Sequence, residues 1–380
     1  MKYRNFTLDK FQEDAINAMD AGDSVVVSAA TGTGKTLIAD YVIQKAITEN
    51  VKAVYTAPIK ALSNQKFREF KALYGDKVGM LTGDIVINPG GSILIMTTEI
   101  YRNMLAEQSP DIADIKYVIF DEIHFINDIE RGTVWEESII FSPNSVRFLC
   151  LSATIPNYQQ FADWISSIKE HNVQTVNYMK RAVPLNHLCY DIELGITTID
   201  QVQKVTGGKR PPRPSKSQSR DKRKQRPQTP SHIELIKELE IKEQLPAIFF
   251  SFSRALCEKR AKELSKKRSF ANPAEYKQIV EITNAHMTDA IKHMHSTRDL
   301  KEVLAKGIGV HHAGMLPKQK EIVELLFDKG LLKVLYATET FAVGINMPAK
   351  TVCFGSLEKY DGISFRLLNS KEYFQLARRA

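Results

Sequence analysis

Short runs of β-branched and apolar residues recur through the first part of the chain: Ser24–Ser28 (SVVVS), Val51–Thr56 (VKAVYT), Ser92–Met96 (SILIM), Lys116–Phe120 (KYVIF) and Val146–Leu151 (VRFLCL). Each is apolar on both faces and is followed by polar or Gly-rich residues and then by a helical period. Strands of a parallel sheet covered by helices on both sides read this way. The pattern predicts a doubly wound α/β domain. It returns at Pro246–Phe252 (PAIFFSF), Ile308–His312 (IGVHH), Lys333–Thr338 (KVLYAT) and Thr351–Gly355 (TVCFG), which predicts a second α/β domain. The stretch Asn172–Asp191, which contains Pro184, is the expected linker, and Phe270–Thr297 reads as helix decorating the second domain.

At roughly 100–200 residues per domain, 380 residues with 43% hydrophobic and 25% charged agree with two or three packed domains. The net charge of +8 suggests a polyanionic partner, but its source is local. Residues 204–230 hold ten Lys or Arg against one acid, Asp221, so the remainder is close to neutral. With five prolines and almost no apolar residue, this segment cannot offset its ordering entropy. It is expected to be a disordered basic insertion that contacts RNA non-specifically, with affinity falling steeply with salt. Cysteines at 150, 189, 257 and 353 show no C-x-x-C, which points to a reducing, cytoplasmic compartment. No apolar run nears the roughly 18 residues a membrane span needs, and no membrane association is expected.

The first candidate chemistry follows the run ending at Ser28. Ala29, Ala30, Thr31, Gly32, Thr33, Gly34, Lys35 and Thr36 lead into a helical period that continues to about Ile47. A Gly-rich turn between strand and helix cradles phosphate: backbone N–H groups face the anion, Lys35 adds a cation, Thr36 can ligate Mg²⁺, and the helix N-terminus adds partial positive charge. Ala29 replaces the usual first glycine. Asp121 and Glu122 directly follow KYVIF. Beside such a cradle, Asp121 would hold Mg²⁺ and Glu122 would orient and deprotonate the attacking water. The expected cofactor is Mg²⁺ with ATP.

Asp121-Glu122-Ile123-His124, continued by Glu130-Arg131-Gly132-Thr133-Val134-Trp135-Glu136-Glu137, resembles the motor core of superfamily 2 DExH-box RNA helicases, in particular the superkiller (Ski-like) and exosome-associated group. The resemblance runs from Phe6 to the last residue and implies two tandem RecA-like domains, 1–180 and 181–380, facing each other across a cleft for Mg-ATP. It implies adenine reading by Gln12. It also implies nucleic-acid contacts at Pro58, Lys60, Asn64, Thr82, Gly83, Thr97, Thr98 and Arg102, and in the second domain at Arg254, His312, Gly314, Thr338 and Glu339. Gly344 would line the nucleotide. Ser152, Ala153 and Thr154 would couple hydrolysis to domain movement. Apart from any family, hydroxyls, amides and turn N–H groups after parallel strands hold a phosphate backbone without reading bases. The adjacent histidines at 311 and 312 point to opposite faces of a strand, which disfavours a shared metal.

Tyr373 to Ala380 resembles the start of the last motif of this family, with Gln375 positioning water and Arg379 as the first of two arginines; Arg378 stands where the family has glycine. The chain ends before the second arginine, so it reads as a fragment of a longer helicase with slow turnover of its own. The expected function is an ATP-dependent RNA helicase or translocase in RNA decay or processing. It would be monomeric, act on single-stranded or 3′-tailed RNA, and have RNA-decay machinery as partner. A DNA-repair helicase and an ATP-gated RNA clamp with little turnover are the alternatives.

Overall fold

The computed structural model describes residues 1–380 except 31, 129–130, 154, 156, 181–183, 207–229, 288–293, 342–348, 361, 363 and 380. Two units divide at Met1–Pro184 and Leu185–Ala380, four residues beyond the expected boundary.

A hairpin of β1 (Lys2–Tyr3) and β2 (Phe6–Thr7) opens the first unit, followed by α1 (Lys10–Asp20). Its sheet contains β3 (Ser24–Ala29), β4 (Lys52–Ala57), β5 (Val78–Leu81), β6 (Val86–Ile87), β7 (Ile93–Thr97), β8 (Ile115–Phe120), β9 (Arg147–Ser152) and β10 (Val173–Tyr178). The order is β10-β3-β9-β8-β4-β7-β5-β6, parallel except for the β5–β6 pair. Alternate residues of one strand feed two separate cores. Val25, Val27 and Ala29 pack with α1 and with α2 (Lys35–Thr48), whereas Val26 packs with Trp135, Ile139, Ala162 and Ile165 on the other side. Both faces of the sheet are therefore covered. The remaining helices of this unit are α3 (Lys60–Tyr74), α4 (Thr98–Ala106), α5 (Gly132–Phe141) and α6 (Tyr158–Lys169).

Each of the five expected runs is a strand, within a residue or two at either end. The linker assignment needs correction. Val173–Tyr178 is an edge strand in register with β3, with Tyr178 stacked on Phe11 of α1 at 4.5 Å. Its sequence VQTVNY breaks the continuous apolar run, with Val173 in the core on one side of the sheet and Val176 in the core on the other. Only the residues after it connect the units.

The second unit has a four-stranded parallel sheet of β13 (Ala247–Phe250), β14 (Ile308–His311), β15 (Val334–Ala337) and β16 (Thr351–Phe354), in the order β14-β15-β13-β16. Two antiparallel hairpins accompany it, β11 (Cys189–Asp191) with β12 (Gly195–Thr197), and β17 (Glu358–Tyr360) with β18 (Phe365–Leu367). Among the described residues, the expected helical stretch after Phe270 contains the helices Pro273–His286 and His295–Leu304. The core of the expected disordered insertion, 207–229, lies outside the described residues. Among the described residues no helix is long and apolar enough to cross a membrane.

The helix Ser370–Ala377, which carries Gln375, is locked to the β17–β18 hairpin through one carboxylate. Glu372 takes a two-pronged contact from Arg366 at 2.7 and 2.9 Å, lies 2.9 Å from the Lys359 ammonium, and closes a capping box with Asn369. The Arg366 contact leads in holding this acid at about 2, below its ordinary 4.5. The contribution to stability is complete above pH 4.5 and is lost as pH falls through about 2. Glu372→Gln is expected to lower the urea midpoint followed by circular dichroism at pH 7. The gap from the native chain should close as pH drops; a gap independent of pH would contradict this assignment.

Candidate functional site

The first unit gathers its candidate residues at the carboxyl ends of the parallel strands, where open α/β sheets bind ligands. The turn after β3 is held open by Gly32 and Gly34, both left-handed at φ 81° and 82°. Thr33 donates its hydroxyl to the Ala30 carbonyl at 2.7 Å, and the Lys35 ammonium donates to the carbonyls of Ala29 and Ala30 at 2.7 and 2.9 Å. Gln12 is buried behind this turn. Its amide nitrogen lies 3.3 and 3.1 Å from the carbonyls of Thr33 and Gly34, while its oxygen accepts the Asp9 N–H at 2.9 Å. A side chain at position 34 would meet that amide at 2.8 Å. Gln12 is thus built into the wall of the cradle in this structure. Thr31 lies outside the described residues.

Two strands along the sheet, β8 ends in the acid pair. The Asp121 N–H donates to the Thr56 carbonyl of β4 at 3.0 Å, so strand pairing fixes where the acid emerges. Burial, reinforced by Glu122, pushes the Asp121 carboxyl above the usual range; Lys66, the Tyr55 hydroxyl and Lys35 oppose that rise. Tyr55 donates to Asp121. Burial, with these acids nearby, holds the phenol far above its usual pKa, so it stays a donor. Glu122 is left-handed at φ 51°, a backbone conformation that is costly for a non-glycine residue. Its carboxylate lies 3.1 Å from Nδ1 of His124, which in turn lies 3.4 Å from Oγ of Ser152 at the end of β9. Ala153 is buried beside it, and Thr154 lies outside the described residues.

Sequence reasoning missed two groups here, Tyr55 and Lys66. The Lys66 ammonium is buried, 3.4 Å from the Thr36 hydroxyl and 2.8 Å from Glu69. The signal was present in α3: Lys66 occupies the helical stripe shared by Leu62 and Phe70, both buried. A lysine on a core stripe needs a reason to be there. Thr36 and Asp121 form an all-oxygen donor pair beside two ammonium groups, a set that suits a hard cation and the phosphates it accompanies.

The remaining candidates of this unit line neighbouring strand ends. Pro58 follows β4, and Lys60 opens α3 and pairs with Asp84 at 2.9 Å, next to Gly83. Thr82 is buried and its hydroxyl reaches Asp84 at 3.2 Å. Asn64 lies on the same helix as Lys60. Thr97 and Thr98 are buried at the β7–α4 junction, where the Thr98 hydroxyl has no protein partner. Arg102 pairs with Glu137 at 3.2 Å, while its buried Nε has no partner. Unpaired buried donors beside a surface loop suit an acceptor that arrives with a ligand.

In the second unit Arg254, His312 and Gly314 come together: a side chain at 314 would lie 3.3 Å from both Arg254 Cδ and His312 Nδ1. Gly314 N–H donates to His312 Nδ1 at 3.2 Å, and Glu258 lies 3.1 Å from His312 Nε2. Burial lowers the His312 pKa against the pull of Glu258. His311 instead meets Glu324 at 3.0 Å, so the two rings serve different carboxylates. Thr338 donates its N–H to the His311 carbonyl at 3.1 Å. Glu339 pairs with Lys359 at 2.7 Å. Gln375 and Arg379 lie on and just beyond the last helix, and the Arg379 carbonyl accepts the Ala349 N–H at 2.7 Å. Gly344 lies outside the described residues.

Residues 9–161 match the family model described as DEAD/DEAH box helicase. Across 99% of its length the chain is 41% identical to DExH-box ATP-dependent RNA helicase DExH9 of Arabidopsis thaliana, to Superkiller complex protein 2 of Homo sapiens and to Exosome RNA helicase MTR4 of Mus musculus. It spans only 40%, 32% and 37% of those proteins, respectively. The family match covers the segment that places the cradle, the acid pair and the β9 hydroxyl at adjoining strand ends, and residues 9–161 are a DEAD/DEAH box helicase domain.

Proposed function

We infer that this chain is the motor core of an ATP-dependent RNA helicase or translocase. The observation that carries the reading is the convergence, at one end of one parallel sheet, of a phosphate cradle after β3 and an acid pair after β8, with the turn after β4 and the start of α4 after β7 as backbone-holding segments. Adjacent strands lie about 4.8 Å apart, so nucleotide chemistry and strand contacts are separated by only a few strand widths. The relatives' names support RNA over DNA as the track, and they support a setting in RNA decay. We also propose a cytoplasmic, monomeric protein, and the four free cysteines fit a reducing compartment.

In the proposed reaction the turn N–H groups and Lys35 receive the β- and γ-phosphates of ATP. Thr36 and Asp121 would hold Mg²⁺, which when bound supplies neutralising charge at the phosphates. Glu122 orients the attacking water and takes its proton. Tyr55 and Lys66 keep the Asp121 carboxyl fixed before the nucleotide arrives. We assign Gln375 and Arg379 to the same reaction, as the second unit's water-positioning and charge-stabilising groups.

Glu122→Gln is expected to slow single-turnover phosphate release in the presence of an RNA oligonucleotide by at least about 100-fold. ATP affinity, measured with a fluorescent nucleotide, should stay within a few-fold of the native chain. Unaltered phosphate release would remove Glu122 from the reaction.

Tyr55→Phe leaves a buried carboxyl oxygen without its donor, which costs about 1–3 kcal/mol. Urea unfolding should register that loss, and saturating Mg-ATP should recover part of it. A variant as stable as the native chain would show that the phenol does not support Asp121.

A further inference from the structure

Arg131 stands at the junction between the segment carrying the acid pair and α5, and its contacts reach across the site. Nε and Nη2 donate to one Glu99 oxygen at 3.1 and 2.5 Å, and Nη2 also donates to the Pro58 carbonyl at 2.6 Å. The guanidinium carbon lies 5.6 Å from the ring centroid of Trp135, which is fully buried. The Arg131 N–H donates to Asp128 at 3.0 Å. Behind it the backbone has no slack: Gly132 N–H donates to the Asp128 carbonyl at 2.8 Å, and a side chain at 132 would sit 2.3 Å from the Ile126 carbonyl oxygen.

The side chain is therefore fixed to the turn after β4 and to the first turn of α4 after β7, while its backbone is fixed to the turn that descends from Glu122. Left alone, the Glu99 carboxylate and the Pro58 carbonyl are both acceptors that would repel a phosphate backbone. The guanidinium neutralises the first and occupies the second with a hydrogen bond. A planar fork can hold two acceptors in fixed directions, which a lysine ammonium cannot reproduce.

We propose that Arg131 is a positioning residue for the nucleic-acid track: it clamps the Pro58 turn to the first turn of α4 at Glu99 and ties both to the element bearing Asp121 and Glu122. The inference rests on the RNA-motor reading above and deepens it. The segments that seat RNA and the acids that act on ATP then share one strut, whose two ends are anchored in the same unit.

The test measures binding of a fluorescent single-stranded oligo(U) RNA to the 380-residue chain by anisotropy, with a non-hydrolysable ATP analogue present. Arg131→Met should weaken RNA binding by about tenfold or more, with Arg131→Lys intermediate. Affinity for the ATP analogue without RNA, and the thermal midpoint, should stay at native values. Adding Glu99→Ala to Arg131→Met should cause no further loss, because both act through one contact. RNA binding unchanged in Arg131→Met overturns the inference, as do losses that multiply between positions 131 and 99. An equal fall in nucleotide affinity and thermal midpoint overturns it in favour of a purely structural role. A native chain that binds nucleotide but no RNA removes the RNA-motor reading itself, and the inference with it.

Discussion

A carboxyl sunk at the end of a central strand is the constraint on which the first unit depends. Removing an ionised acid from water costs several kcal/mol unless other groups replace its hydration. Asp121 draws its replacements from three elements distant in sequence: the Tyr55 hydroxyl on β4, and the charges of Lys66 on α3 and Lys35 on α2. The pairing of its own N–H with Thr56 sets the register that brings Tyr55 alongside. A one-residue slip between β8 and β4 would turn Tyr55 to the other face and leave the acid without its donor. Sheet register and site chemistry are therefore one problem with one solution, and the two hydrophobic cores on either side hold that register in place.

Strands buried on both faces were the most legible part of the chain, because continuous apolar runs such as SVVVS and KYVIF have no other economical use in a soluble domain. The strands that escaped notice are those whose surroundings relax that requirement. VGML of β5 contains Gly79, which lies so close to the Asn88 carbonyl that an added Cβ would be 2.1 Å from it. β10, at the sheet edge, sends only one valine into each core, Val173 on one side and Val176 on the other, so its apolar run is interrupted. β17 and β18 expose apolar side chains outright, with Phe365 76% accessible, so burial could not announce them.

The chemistry divides along the same line. The cradle at 29–36 and the pair at 121–122 are each local in sequence, and a turn's worth of residues carries most of their meaning. Tyr55, Lys66 and Arg131 act through partners tens of residues away, and a single sequence gives no distance between them. Lys66 alone left a trace, as a charge on the buried stripe of its helix. Gln12 shows the reverse case: the residue type was noticed, but only the fold reveals that its amide is spent on the carbonyls of the cradle.

His124 joins the acid pair to the end of β9 by a contact that cannot be made twice. Its Nδ1 lies within 3.1 Å of the Glu122 carboxylate and 3.4 Å of the Ser152 hydroxyl. A ring nitrogen carries either a proton or a lone pair. Protonated at Nδ1, the imidazole donates to Glu122 and offers Ser152 nothing to donate to; with the proton on Nε2, it accepts from Ser152 and presents a lone pair to the carboxylate, which repels it. The orientation of Glu122 is thereby tied to whether Ser152 is engaged elsewhere. Ser152 and Ala153 belong to the segment expected to couple hydrolysis to movement, so a change in the hydrogen bonds of that hydroxyl changes what the imidazole can offer Glu122. The left-handed backbone at Glu122 adds to this constraint, because the surroundings hold the residue in a conformation that is costly for a non-glycine side chain.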